Sequence, residues 1–517
     1  MRFNIKTKRT NKVKNYEGDE AYTMSPAMEL YASVVTTTLA DKFYEKDQKR
    51  ITRLRKLIAK NDPRFVAKLA VYAREQMHLR SVPLVLAVEL AKVHRGDNLM
   101  SQTVARVVQR ADEITELLAY YAVANQRKGT KQLNLLSKQI QKGLAQAFNR
   151  FDAYQLAKYN RATSIKLKDA LFLVHPKAKD EAQQVIFNQL VNDTLPVPYT
   201  WETELSAQGQ QTFANEADKQ LAFRTKWEEL IDSGKLGYMA MLRNLRNILE
   251  AEVSSDQLQK VCALLSDERA VARSKQLPFR FLAAYREIKA LKLAESTMVL
   301  NALEAAVRAS AANIPGFDEN VRVLIACDVS GSMQRAISPK SKIQNYDIGL
   351  MLGMLLQSQC QRVITGIFGD RWKVINLLQG NILANVDELH RREGEVGYST
   401  NGYLVVKDLI KCRKVVDKVM IFTDCQLWNS NGYRWSAPRW GGTASTETIA
   451  QLWGQYKQIA PEAKLYLFDL AGYGNTPLDI RGNDVFFVAG WSDKVFAVLQ
   501  AIENGSHAVA EIKKIAM

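Results

Sequence analysis

Two periods divide the chain. From about residue 25 to 312, apolar residues recur every three or four positions. Leu133, Leu136, Ile140, Leu144 and Phe148 form one such stripe, the mark of an amphipathic helix with one buried face. The same spacing predicts helices over 48–61, 64–78, 81–94, 98–110, 112–125, 181–194, 215–232, 236–249, 255–265 and 280–312. The breaks are short and turn-forming, as at Asn61-Asp62-Pro63, Ser81-Val82-Pro83, Arg95-Gly96-Asp97 and Ser233-Gly234, which suits stacked antiparallel helix pairs. Pairs recur about every 35–45 residues, so an α-solenoid is expected, although no crisp repeat marks it.

After Asn313-Ile314-Pro315-Gly316 the period shortens. Apolar runs at 321–327, 362–368, 416–422, 464–469 and 485–489 alternate with helical segments near 343–358, 402–411, 445–458 and 491–503. That alternation predicts a doubly wound parallel sheet. The expected fold class is therefore α plus α/β. Residues 1–20 read as a basic flexible arm, 21–315 as the helical module and 316–517 as the sheet domain.

The run 321–327 ends in Asp328-Val329-Ser330-Gly331-Ser332-Met333. Asp-x-Ser-x-Ser at a strand end places one carboxylate and two hydroxyls around a point, beyond the carboxyl end of the sheet where α/β folds put their ligands. Hard divalent cations want that oxygen chemistry. Two later segments could complete the set. Ser399-Thr400-Asn401 follows Gly397 in a polar loop, and Thr423-Asp424 ends the run 416–422; Ser399 or Thr423 could stand in for Thr400. Asp, Ser and Gly also favour plain turns, but the second Asp at another strand end argues for a site. In this order the residues resemble the metal-ion-dependent adhesion site of von Willebrand factor A domains. The resemblance covers roughly 316–517. It implies one cation, Mg2+ or alternatively Mn2+, held directly or through water by Asp328, Ser330, Ser332, Thr400 and Asp424.

Charge separates the two parts further. The net charge is +17, but residues 1–315 carry 49 Lys and Arg against 34 Asp and Glu, while 316–517 carry 22 against 20. A basic surface thus belongs to the helical part, which favours nucleic acid or another anionic partner over simple solvation of helix faces. Lys158, Arg161, Lys166, Lys168, His175, Lys177 and Lys179 fall within 22 residues, interleaved with Tyr154, Tyr159 and Asn160. Cations position phosphates, and aromatic faces and amides meet splayed bases. Arg243 and Asn244 could contact RNA or hydrogen-bond between neighbouring helices. Five scattered cysteines without a CxxC pair indicate neither a zinc site nor a disulfide framework, and reduced thiols in a cytoplasmic protein are expected. The basic, polar start lacks an apolar core, and no apolar run reaches the roughly 20 residues that span a bilayer, so no membrane partner is expected.

Four fragments resemble the TROVE module of the Ro 60-kDa autoantigen family and its bacterial relatives. They are Leu167-Lys168-Asp169-Ala170-Leu171-Phe172-Leu173-Val174-His175-Pro176-Lys177, Trp227-Glu228-Glu229-Leu230, Met239-Ala240-Met241-Leu242-Arg243-Asn244-Leu245 and Leu277-Pro278-Phe279-Arg280-Phe281-Leu282. TROVE followed by a von Willebrand A domain is the Ro architecture, so the resemblance covers nearly the whole chain. It implies a ring of HEAT-like helices with a Rossmann-like A domain. It also implies small structured noncoding (Y-like) RNA on the outer surface, where Lys158, Lys168 and His175 fall, and single-stranded 3′ ends of misfolded RNA in a central hole. The expected role is a non-enzymatic monomeric scaffold in RNA quality control, presenting RNA to a nuclease or repair protein. No phosphate loop, H-E-x-x-H or G-x-S-x-G motif occurs. The competing reading is a metal-dependent protein-binding adaptor without an RNA function. A metal-dependent hydrolase is disfavoured, because no general base accompanies Asp328 and Asp424.

Overall fold

The computed structural model describes residues 11–36, 49–127, 133, 135–312, 314, 316–338, 341–430 and 447–517. The first ten residues of the expected basic arm, and residues 445–446 of an expected helix, lie outside these. The chain divides into two compact units, one of residues 1–57 and 313–509, the other of 58–312 and 510–517.

The sheet unit is built on six strands: β3 (Arg322–Asp328), β4 (Arg362–Phe368), β5 (Trp372–Val374), β6 (Lys418–Thr423), β7 (Lys464–Asp469) and β9 (Val485–Ala489), in the order β5-β4-β3-β6-β7-β9. All neighbours pair in parallel except β5, an antiparallel edge that the sequence pattern did not suggest. β3 and β6 are buried along almost their whole length, as expected of strands covered on both faces. The helix Asn345–Gln357 packs against β3 and β6 and is buried at every position. β3 has β4 on one side and β6 on the other, so the strand order reverses there and a crevice opens beyond the carboxyl ends of β3 and β6.

The start of the chain departs from expectation. Residues 12–20 are not a loose arm. β1 (Lys12–Lys14) and β2 (Glu20–Thr23) form a hairpin, and β2 also pairs with β8 (Asn475–Thr476). Residues 21–36 and 49–57, read as the beginning of the helical module, pack with the sheet unit instead. The cause is a set of carbonyls after β7 that two arginines satisfy. Arg50 donates to Ala471 O at 2.7 Å and to Ser33 O at 3.0 Å, and Arg53 donates to Gly472 O. Tyr31, in the helix Pro26–Val35, donates its hydroxyl to Ala489 O at 2.9 Å.

The other unit is helical throughout. The expected helix 280–312 is two, Phe279–Leu291 and Ser296–Ala311, because Lys292 adopts a left-handed φ of 54° without a Gly or Pro to announce it. Short helices at Ala153–Tyr159, Leu167–Val174 and Trp201–Gly209 fill spans the periodicity left blank. The final residues, assigned by sequence to the sheet domain, pack here, with Lys68 donating to Lys513 O at 2.6 Å. Glu113 is a polar anchor of the core. Fully buried, it accepts from Arg74 at 2.9 Å, from Arg80 at 3.3 Å and from the backbone N–H of Gln109 at 2.8 Å. Arg74 is therefore a structural residue. Glu113→Ala would strand the buried guanidinium of Arg74. The expected cost is about 3–5 kcal/mol, read as a lowered urea midpoint, because a buried charge without its partner loses hydration and gains nothing.

Candidate metal centre and nucleic-acid interface

Register brings the carboxyl ends of β3, β6 and β7 side by side: Cys327 faces Phe422, and Thr423 faces Asp469. Each strand delivers an acidic residue to the crevice. Asp328 closes β3, and its Oδ1 accepts from the Ser330 N–H at 2.9 Å while its Oδ2 accepts from the Thr423 hydroxyl at 2.6 Å. The hydroxyls of Ser330 and Ser332 lie 3.3 Å apart. The loop is fixed by Val329 N–H to Phe368 O and by Gly331 N–H to Tyr398 O. Asp424 follows β6, and its Oδ1 accepts from Gln426 N–H at 3.0 Å. Thr400 donates to the carbonyl of the same Gln426 at 3.0 Å. Asp328, Ser330, Ser332, Thr400 and Asp424 are thus gathered in one crevice, none more than 5 % exposed.

The loop carrying Thr400 depends on two glycines. Gly397 has φ +74°, and a Cβ there would come 2.1 Å from Asp370 Oδ2; a Cβ on Gly369 would come 2.0 Å from Gly397 O. That closeness lets Asp370 accept from Ser399 N–H at 2.9 Å. Thr423, the other candidate stand-in, instead buttresses Asp328.

The electrostatics suit a cation. Burial, and then the charge of Asp424, push the Asp328 carboxyl well above the usual carboxylate range. Asp469, the register partner of Thr423 and fully buried, is pushed up to about 6 by burial, against the opposing N–H groups of Gly472 and Ala471. Its Oδ1 takes both those N–H groups, at 2.8 and 2.9 Å, and its Oδ2 has no hydrogen-bond partner among the described residues. No trio of His, Cys, Asp or Glu converges as a metal cluster among the described residues. The donor set is two carboxylates with hydroxyl oxygens, which fits Mg2+ or Mn2+ rather than a softer ion. Asp469 escaped the sequence reading, although its place at the end of an apolar run, like those of Asp328 and Asp424, was a usable signal.

On the helical unit the basic stretch occupies two short helices and their ends. The Lys158 ammonium lies over the Tyr154 ring at 5.5 Å, and Arg110 covers Tyr159 at 4.4 Å. Lys158 and Tyr154 border an open groove of about 640 Å³ shared with Trp201, Lys235, Tyr238 and Arg273. Arg161, Lys166 and Lys177 are exposed, and Lys168 is paired with Asp193 at 3.1 Å. His175 ends the helix Leu167–Val174 in a left-handed conformation. Its backbone N–H caps Leu171 O while its side chain stays exposed, so the ring is not needed for capping.

Arg243 is exposed, but Asn244 is not an interface residue. It is 2 % exposed and spends its amide on Ala240 O and Asn247. That correction follows from helix phase, since adjacent positions cannot share a face. Arg243 has different company. Burial first, and then the charges of Arg243 and Arg80, hold the Arg280 guanidinium below its usual range. Arg110, Lys235, Trp201 and Arg280 were not among the residues the sequence singled out as an interface.

A helical module together with a von Willebrand A-like sheet unit is the class this architecture defines. The model of the TROVE domain matches residues 19–195 and 192–312, more than half of the chain, which belongs to the family of TROVE-domain proteins. The matched module thus includes the N-terminal segment that packs with the sheet. Telomerase protein component 1 of Mus musculus is 26 % identical over 332 residues, covering 50 % of this chain and 13 % of that protein. Its counterpart in Rattus norvegicus is 26 % identical over 337 residues, covering 50 % and 12 %. The chain therefore spans only a small part of those relatives. The crystal structure of the Deinococcus radiodurans RO (RSR) protein superposes with a TM-score of 0.58 at 18 % identity, covering 93 % of this chain and all of that one, a similarity of fold.

Asp469 supplies a pH test. A carboxyl raised in the folded state favours the protonated form. It therefore costs stability progressively as pH rises from about 4 to about 6, and the full cost persists above that. In the presence of a chelator, Asp469→Asn should unfold later than the native chain at pH 7–8, by at most about 3 kcal/mol. The difference should vanish below pH 4 in thermal scans.

Proposed function

We propose that this chain is an RNA-binding scaffold. On this reading, small structured noncoding RNA of the Y-like kind binds the cationic and aromatic surface around Lys158. Single-stranded 3′ ends engage Arg243 and Arg280 in the central hole expected of the family. The observation that carries the reading is the stretch 154–179 inside the matched module, where Lys158, Arg161, Lys166, His175 and Lys177 stand at the surface beside Tyr154 and Tyr159. Cations there meet phosphates, and the rings and the adjoining groove offer faces for unpaired bases. The excess of positive charge in the helical part draws RNA in, and salt should weaken the complex.

The sheet unit has a separate task. One Mg2+ or Mn2+ would be held by Asp328, Ser330, Ser332, Thr400 and Asp424, directly or through water. When bound, the ion offers an open position to an acidic side chain of a partner protein, such as a nuclease or an RNA-repair enzyme. The chain's own residues would offset the ion's charge and exclude bulk water, and the reading is of a scaffold, not a catalyst. The reading assigns these two surfaces to quality control of cytoplasmic RNA by a monomeric scaffold. A metal-dependent adaptor without RNA would need only the crevice. The predicted salt dependence separates the two readings, because the adaptor would show no RNA affinity at any ionic strength. Among the described residues no helix is long and apolar enough to cross a membrane.

Asp328→Ala should abolish the calorimetric signal of Mn2+ binding, since one carboxylate offsets too little of the ion's dehydration. The same variant should bind a hairpin RNA with unchanged affinity. Changing Lys158, Lys168 and His175 together should weaken a structured hairpin RNA about tenfold or more at moderate salt, through lost phosphate contacts. A plain single strand should lose far less in competition binding. Equal losses would place these residues on a shared path.

A further inference from the structure

The hairpin at the start of the chain ends over the crevice. Its turn is tightly defined: Gly18 N–H bonds Asn15 O at 3.1 Å, Asn15 N–H bonds Asp19 O at 3.0 Å, and Gly18 takes φ +89°. Four contacts fasten this turn to the sheet unit. Asn15 Nδ2 donates to Leu427 O at 2.8 Å, Tyr16 N–H donates to Gln426 Oε1 at 2.9 Å, and Asp19 Oδ2 accepts from Asn429 N–H at 3.2 Å. The Tyr16 ring meets Tyr473 edge-on at 5.5 Å.

Gln426 joins the turn to the crevice. This fully buried residue donates its N–H to Asp424, accepts from Thr400 through its carbonyl and accepts from Tyr16 through its side chain. One residue thus touches two of the five candidate ligands and the hairpin turn. Between Tyr16 and Gly18 stands Glu17, half-buried. Its carboxyl is pushed above the usual range by burial and then by the charge of Asp424. A well-anchored turn therefore brings a further carboxylate near Asp424, in a crevice already rich in buried carboxylates. Left uncompensated, that arrangement is repulsive. A divalent ion reverses its sign. Mg2+ keeps several of its waters, so a carboxylate outside the five ligands can act on the ion through one of them.

We propose that the β1–β2 turn is a built-in cap for the metal crevice, in which the Glu17 carboxylate accepts a hydrogen bond from a metal-bound water and occupies the face where an acidic residue of a partner would arrive. The inference rests on the reading of Asp328, Ser330, Ser332, Thr400 and Asp424 as a metal site. It adds regulation to that site: with the hairpin seated, the ion is satisfied from within the chain, and a partner carboxylate must displace Glu17 to bind.

The test uses the full chain and Mn2+ as the probe, with calorimetry for affinity and hydrogen exchange for residues 12–23. In the native chain, Mn2+ should slow amide exchange across the hairpin. Glu17→Gln should keep one Mn2+ per chain, bind it about tenfold more weakly, as loss of a carboxylate in the second shell of a metal typically does, and lose the metal-dependent protection of the hairpin. Glu17→Ala should behave alike, which guards against a peculiarity of the amide. If both variants match the native chain in affinity and protection, the cap is wrong while the metal site stands. Weaker binding with hairpin protection intact would mean that Glu17 acts only as a distant charge, and would overturn the cap as well. If Asp328→Ala binds Mn2+ as the native chain does, the underlying metal site fails instead.

Discussion

The structure turns on negative charge buried at the ends of parallel strands. Asp328, Asp424 and Asp469 close β3, β6 and β7, and all three are at most 1 % exposed. A parallel sheet covered on both faces offers no water there, so each carboxylate must find N–H groups, hydroxyls or a cation. The Ser330 and Thr423 donors serve Asp328, the Gln426 N–H serves Asp424, and Ala471 and Gly472 serve Asp469. These donors leave the charges themselves in place. Much of the surrounding architecture, including the glycine pair at 369 and 397, the Gln426 relay and the hairpin over the crevice, arranges oxygen atoms around that surplus.

The helical unit solves the opposite problem. It carries excess positive charge, and where a cation is buried it is given a full complement of partners, as Arg74 is by Glu113 and Val107 O. Elsewhere the cations lie on rings or feel like charges, as do Lys158 on Tyr154 and Arg280, which feels the charge of Arg243. A guanidinium among like charges is poised for an anion, whereas one held by carboxylates is committed to the fold. That contrast separates binding arginines from structural ones more sharply than position along the chain.

Much of this was legible in the sequence because it was periodic. The five parallel strands fall within a residue or two of the apolar runs, and Asp328, Ser330, Ser332, Thr400 and Asp424 converge because strand ends and short loops leave them little choice. What stayed hidden was non-local. β5 is too short to show a period, and Lys292 breaks a helix with backbone geometry that its side chain does not encode. Asn244 looked available beside Arg243 until helix phase turned it inward. Glu17, in a basic and irregular stretch, gains meaning only through its neighbour Tyr16, which bonds Gln426 410 positions further along.

The connectivity of the two units also bears on how the protein is made. Arg50 bonds a carbonyl 421 residues further along the chain, and Tyr31 one 458 residues away. At roughly 5–20 residues per second, a ribosome would leave that first segment waiting on the order of 20–80 s for its partners. The helical repeats, whose contacts are local, can consolidate in the meantime. The sheet unit closes only when nearly the whole chain has emerged, so a ribosome stalled after residue 315 would release a protein with folded helices and an orphaned amphipathic N-terminus.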